Sequence, residues 1–235
     1  VFAERFLIKD ADTTLAKIPE GVSLEEALMC VDVVTTGFTG AEYADIKIGD
    51  TVVVMGIGPI GLMAVEGARH LGAGRIIAVG SRPVCTELAR EFGATDVISY
   101  KDRDVVEQVL SMTNGVGADS VIICGGGDQS FTQAVDMVRY GIGTISNVNY
   151  YGGTGNLGFP KFSGGRGMAG KTIHTELARG GRARIERLMA MVKYGRIHPG
   201  KLVTHHLKGL DNVEKALYMM KEKNDGLIKV MVRIN

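Results

Sequence analysis

The stretch Thr51 to Gly61, TVVVMGIGPIG, constrains the fold of this chain more than any other. A β-branched run, Thr51 to Val54, leads into Gly56, Gly58 and Gly61 at the spacing G-x-G-x-x-G, with Pro59 and Ile60 between the last two, and an apolar helical pattern follows at once. Glycines there remove side chains where backbone must approach a pyrophosphate. The N–H groups at the start of the following helix, with the positive end of its dipole, face that anion. The spacing alone is a weak signal. The strand before it, the helix after it and the alternation downstream give it weight.

That alternation predicts strand Thr51 to Met55, helix Pro59 to Leu71, strand Arg75 to Gly80, helix Pro83 to Phe92, strand Asp96 to Ser99 and helix Arg103 to Met112. Strand Ser120 to Cys124, helix Gln129 to Val138, strand Gly143 to Val148 and strand Lys171 to Thr175 continue it. Six strands joined by helical crossovers imply an α/β fold, a doubly wound six-stranded parallel sheet with helices on both faces. Gly152 to Gly170 carries eight glycines without a period, too long for an ordinary connection, and reads as a functional or interface loop. The tail changes pattern: helix Arg182 to Tyr194, strand Leu202 to Leu207, helix Asp211 to Glu222 with Asp211 as its cap, and strand Ile228 to Ile234. This closing β-α-β need not belong to the parallel sheet.

Composition excludes several partners. A net charge of +1 without a basic or acidic block argues against nucleic acid or an anionic membrane. No apolar run approaches the roughly 18 to 20 residues of a membrane span, and the start lacks the apolar core of a signal peptide, so a cytoplasmic setting is expected. Cys30, Cys85 and Cys124 each sit in or beside an apolar segment and read as reduced thiols, with no disulfide framework and no C-x-x-C pattern.

Before the glycine motif, Phe2, Phe6 and Ile8 are consistent with a strand, and Ala11 to Thr14 with a turn. Ser23 with Glu26 forms a capping box that opens a helix from Leu24 to about Cys30, continuing into Thr35 to Tyr43. Asp32 is the anomaly. A carboxylate inside the apolar run Leu28 to Val34 costs several kcal/mol if buried unpaired, so it must reach solvent, cap a helix or meet a cation.

In a dinucleotide fold the second strand ends at the adenosine ribose, where an Asp or Glu binds both ribose hydroxyls of NAD. Here Gly80 stands there, followed by Ser81 and Arg82. A missing carboxylate removes repulsion against a 2′-phosphate, a guanidinium holds that phosphate bidentately, and Ser81 adds a hydroxyl donor, which predicts NADP over NAD. The alternative is that Gly80 is only a turn glycine and Arg82 a solvated charge.

The run GIGPIGLMAVEGARHLGAGRIIAVGSRPVC carries a resemblance, together with Asp32-Val33-Val34-Thr35-Thr36-Gly37-Phe38 before it and Asn147-Val148-Asn149-Tyr150 and Lys201-Leu202-Val203-Thr204-His205 after it. It resembles the NADP-dependent secondary alcohol dehydrogenases of the zinc-containing medium-chain dehydrogenases, over nearly the whole chain. The resemblance implies a Rossmann NADP-binding domain at 36–178, a partial barrel-like catalytic domain at 1–35 and a return to it at 179–235. It implies that Gly80, Ser81, Arg82 and Tyr100 grip the 2′-phosphate end, that Asn147, Asn149 and Tyr150 belong to the cofactor site, and that Asp32 is a zinc ligand. It further implies a homo-oligomer, dimer or tetramer, with Gly143 to Val148 and Gly152 to Gly170 as candidate contacts.

The departures are specific. In that family a Cys and the His of a Gly-His-Glu motif complete the zinc site, from a domain preceding the residue aligned with Val1; this sequence has no Gly-His-Glu. Asp32 alone cannot hold zinc, which takes three or four ligands. His205 and His206, adjacent on a strand, point to opposite faces, and His70, His174 and His198 read as surface or core imidazoles. The family's Trp-Gly-Cys-Gly and Leu-Cys-Pro-Gly-Gly-Arg are here Gly164-Gly165-Arg166-Gly167 and Leu177-Ala178-Arg179-Gly180-Gly181-Arg182. The expected activity is interconversion of short secondary alcohols and ketones by zinc-assisted hydride transfer to NADP, with only half the zinc chemistry encoded here. The alternatives are a non-catalytic NADP-binding module and a zinc-independent quinone or enone reductase of the same superfamily.

Overall fold

The computed structural model describes residues 2–152, 155–158, 170–224 and 226–234. In chain order, a single turn α1 (Ala11–Thr14) and α2 (Leu24–Met29) lead through a π-helical turn (Cys30–Val34) into α3 (Thr35–Tyr43). Then follow β1 (Thr51–Met55), α4 (Pro59–Leu71), β2 (Arg75–Val79), α5 (Pro83–Phe92), β3 (Asp96–Ile98), α6 (Val105–Met112), β4 (Ser120–Ile123), α7 (Gln129–Met137), β5 (Thr144–Asn147) and β6 (Thr172–Thr175). The tail is α8 (Arg182–Lys193), β7 (Val203–Lys208), α9 (Val213–Glu222) and β8 (Lys229–Arg233). The chain divides into two units, Val1–Thr35 with Arg179–Asn235, and Thr36–Ala178.

In Thr36–Ala178 the six strands run parallel in the order β3-β2-β1-β4-β5-β6. The chain winds outward from β1 through β2 to β3, then returns to the other side of β1 for β4, β5 and β6. The reversal between β1 and β4 is the topological switch point, and it opens a crevice at the strands' carboxyl ends. Strand alternation splits the aliphatic residues between two cores. Val53, Met55, Ile77, Val79, Val121, Ile123 and Ile145 pack with Val105 and Val109 of α6 and Phe131, Ala134 and Val135 of α7. Val52, Val54, Ile76, Ala78 and Ile122, at most 1% exposed, fill the other face. There α3 lies close because glycines let it: a Cβ on Gly37 would meet Met63 of α4 at 2.6 Å, and one on Gly40 would meet Ile122 at 2.9 Å.

Helix boundaries follow local chemistry. Proline opens α4 and α5 at the first helical position, and Gly72 and Gly93, at φ +99° and +117°, close them in the left-handed region. The Asp104 side chain accepts from Glu107 N at 3.0 Å and starts α6 two residues later than the pattern predicts.

In the other unit the capping box is complete: Glu26 N donates to Ser23 Oγ at 3.2 Å and Ser23 N to Glu26 Oε2 at 3.0 Å. β7 and β8 form their own two-stranded parallel sheet, separate from the six, as the tail's pattern allowed. Three expectations fail here. Phe2 and Phe6, 67% and 58% exposed, lie in no strand, because a strand needs a ladder partner and none of the described residues offers one. Ala11–Thr14 closes into helix instead of an open turn, its Thr13 and Thr14 N–H groups and hydroxyls all donating to the Asp10 carbonyl. Asp211 does not cap α9; it falls in a short 3₁₀ turn, Leu210–Asn212, ahead of it. Most of Gly152 to Gly170, including Gly164-Gly165-Arg166-Gly167, lies outside the described residues. No described helix is long and apolar enough to cross a membrane.

One ion pair pins β2 to β3. Arg75 donates from Nε and Nη2 to the two oxygens of Asp96, at 2.8 and 3.1 Å, and from Nη1 to the Met112 carbonyl at 2.7 Å. The Arg75 guanidinium, and next the Thr95 hydroxyl, hold the Asp96 carboxyl below the usual carboxylate range. A group depressed in the folded state stabilises above its unfolded pKa and loses that contribution as pH falls through the folded value. Asp96→Asn should therefore lower urea-unfolding stability by about 1 kcal/mol at pH 7. The gap to the unmodified chain should close as pH drops below about 4, read from denaturation curves across pH.

Candidate functional site

The glycine turn is built backbone against backbone. Gly56 takes φ +83°, and a Cβ on it would sit 2.7 Å from the Gly125 Cα, so the end of β1 touches the turn after β4. A Cβ on Gly61 would stand 2.2 Å from the Gly56 carbonyl oxygen, which brings the first turn of α4 onto the strand end. Gly58 is different: nothing lies within 4 Å of the position a Cβ would take, and no side chain caps the N-terminus of α4 that it begins. Pro59 occupies the first helical position and Ile60 the second. The result is an open approach onto an uncapped helix N-terminus at the switch point, the geometry a pyrophosphate requires.

At the end of β2, Gly80 N donates to the Ile98 carbonyl at 3.0 Å, and a Cβ on Gly80 would strike Ile57 Cγ1 at 2.2 Å. Ile57 of the glycine turn thus covers Gly80, and any side chain there would force it to shift. Ser81 Oγ donates to Tyr100 Oη at 2.9 Å, joining the loops after β2 and β3. Tyr100 is exposed, and Arg82 is the residue on which α5 begins. Ser81 and Tyr100 therefore meet beside the position that Ile57 crowds, with Arg82 next in the chain.

On the other side of β1, β5 ends in Asn147. Its Oδ1 accepts from Asn149 N and its Nδ2 donates to the Asn149 carbonyl, both at 3.3 Å. Asn149 Nδ2 donates to the Gly126 carbonyl at 3.4 Å, whereas Tyr150 is 90% exposed. Cys124, at the end of β4, is a free thiol that burial pushes up to about 12, which keeps it protonated and inert as a nucleophile at neutral pH. The sequence reading missed Ile57, Gly125 and Gly126; three consecutive glycines after a buried strand were the signal available.

Asp32 is exposed within the π-helical turn, in the other unit. Cys30 in the same turn is buried, and burial, with the Glu26 charge second, pushes its thiol up to about 12. Among the described residues no group of three or more His, Cys, Asp and Glu could hold a metal ion. His205 Nδ1 meets Thr204 Oγ1 at 2.9 Å, and His206 Nε2 lies 3.7 Å from Glu25. The rings of His70 and His174 lie tilted against those of Phe38 and Tyr43. The described residues therefore do not by themselves make a zinc site.

Comparison with known proteins converges on one family. Residues 59–193, more than half of the chain, match the family described as Zinc-binding dehydrogenase. The chain belongs to that family. It is 52% identical over 235 residues to the NADP-dependent isopropanol dehydrogenase of Entamoeba histolytica, covering all of this chain and 64% of that protein. To the enzyme of the same name from Thermoanaerobacter brockii it is 53% identical over 232 residues, 99% of this chain and 66% of the relative. Thus the chain spans about two thirds of the length of these family members. Zinc dependent alcohol dehydrogenase 2 from Streptococcus pneumonia superposes with a TM-score of 0.87 at 26% identity, covering all of this chain and 66% of that one. Alcohol dehydrogenase TADH from Thermus sp. ATN1 gives 0.83 at 30% identity, over 96% and 64%.

The two glycines should respond differently to a single methyl. Gly61→Ala, with its Cβ forced onto a carbonyl, should lower Tm by several degrees or more, since overpacking costs about 1 to 3 kcal/mol. Gly58→Ala should keep the parent Tm within about two degrees and bind a dinucleotide probe such as NADPH at least about tenfold more weakly. Thermal melts and fluorescence titration check both.

Proposed function

We propose that this chain is the NADP(H)-binding part of an oxidoreductase that interconverts short secondary alcohols and ketones. The observation that carries the reading is the group Ser81, Arg82 and Tyr100 beside Gly80, whose Cβ position is filled by Ile57. A 2′-phosphate meets two hydroxyls and a guanidinium there and no carboxylate at position 80. The names of the relatives, NADP-dependent isopropanol dehydrogenases, support both the cofactor and the substrate class.

Bound NADP would supply the hydride chemistry, from alcohol to ketone and back. The chain's own residues bind and orient. The α4 N-terminus with Gly58 takes the pyrophosphate, Ser81, Arg82 and Tyr100 the 2′-phosphate, and Asn147, Asn149 and Tyr150 the far end beyond β4. In this reading residues 36–178 are the cofactor domain, and 1–35 with 179–235 belong to a catalytic domain in which Asp32 is the residue directed at zinc. A cytoplasmic homo-oligomer, dimer or tetramer, completes the proposal. It is supported by the free thiols and by the edge strand β6, whose Ile173 is 38% exposed. β5, the strand first expected at the contact, lies one strand inside that edge.

One observation favours a second reading, a non-catalytic NADP-binding module: the described residues gather no set of three metal ligands. Metal analysis and propan-2-ol-dependent NADPH formation separate the two. Stoichiometric zinc with turnover supports the dehydrogenase; tight NADPH binding with neither supports the module.

NADPH should bind at least about tenfold more tightly than NADH, the scale of a charge-assisted phosphate contact. Arg82→Ala should remove most of that preference while leaving NADH affinity unchanged. Titration of both cofactors reads this, and equal affinities in the unmodified chain would overturn the NADP assignment.

A further inference from the structure

The segment after β5 is tied to the turn after β4 at two points. One is the Asn149 Nδ2 donation to the Gly126 carbonyl at 3.4 Å. The other is a hydrogen bond between Ser130 Oγ and Tyr151 Oη at 2.9 Å. Ser130, 2% exposed, stands in the first turn of α7, directly against Gly126: a Cβ on that glycine, at φ +122°, would lie 2.9 Å from the Ser130 Cβ. Tyr151 packs against the core cluster shared by α6, α7 and the sheet, while its neighbour Tyr150 is 90% exposed. An aromatic ring held on an apolar core, with its hydroxyl on a buried serine, fixes the backbone on both sides of it.

These ties sit at the carboxyl ends of β4 and β5, on the opposite side of β1 from Ser81 and Arg82. A dinucleotide with its adenosine at the end of β2 and its pyrophosphate on the glycine turn continues past β1 in this direction. We infer that the Ser130–Tyr151 hydrogen bond positions the binding surface for the nicotinamide half of NADP(H). It holds the β5 tail so that Asn149 and the Gly126 carbonyl keep one fixed spacing. Ser130 and Tyr151 are positioning residues, acting through Asn149 and Gly126, and the inference rests on the NADP reading above.

Tyr151→Phe keeps the ring and removes only the hydroxyl; Ser130→Ala removes the partner. Affinity is measured for NADPH and for adenosine 2′,5′-bisphosphate, which lacks the nicotinamide half, along with the emission of bound NADPH. Each variant should bind NADPH about fivefold more weakly, the scale of one neutral hydrogen bond, with altered emission and unchanged affinity for the bisphosphate. The double variant should lose the same factor of about five and not about twenty-five, since both changes break one bond. Unchanged NADPH binding and emission in Tyr151→Phe overturns the inference, as does an equal loss for both ligands. Failure of the unmodified chain to bind either ligand overturns the NADP reading and this inference with it.

Discussion

The Thr36–Ala178 unit depends on three backbones brought closer than side chains permit. Gly56 rests on Gly125, and Gly61 on the Gly56 carbonyl. Through these contacts the end of β1, the start of α4 and the turn after β4 meet at the point where the sheet reverses direction. A methyl at either crowded position would separate the strand from its helix or push β4 away from β1. The crevice between them is therefore fixed by steric exclusion, and the helix N-terminus stays aimed into it without a capping side chain.

In the proposed reading, the cofactor surface around that point divides into two wings. Toward β2, Ile57 crowds the space over Gly80, and the Ser81 and Tyr100 hydroxyls are bonded to each other beside it. Toward β4 and β5 the wing is a set of mutual braces, with Asn147, Asn149, Gly126, Ser130 and Tyr151 held by one another. One wing is defined by packing and the other by hydrogen bonds, so they should respond differently to substitution: the first to side-chain volume, the second to the loss of single polar atoms.

What was legible in the sequence follows from range. β1, α4 and α5 match the pattern residue for residue, because Pro59, Pro83, Gly72 and Gly93 act through local backbone geometry. The doubly wound parallel sheet also followed, from the alternation of elements. Three things did not. Phe2, Phe6 and Ile8 look like strand residues, but a strand exists only with a partner to bond. Asp211 has the chemistry of a cap, yet a 3₁₀ turn placed Asn212 at the helix start. The Ser130–Tyr151 bond joins residues 21 positions apart, and no local pattern marks it. The glycine turn was readable because its residues are contiguous; the rest of the proposed site is assembled from strand ends that only the sheet order brings together.

The π-helical turn at Cys30–Val34 carries a consequence of a different kind. Its wider hydrogen-bonding loop holds an additional residue. The boundary between the two units falls just past it, at Thr35 and Thr36. On either side of it, α2 buries Ala27 and Met29 in one unit, and α3 presents Gly37 and Gly40 to the sheet in the other. Asp32 sits at that slip in register, where neither core claims its side chain.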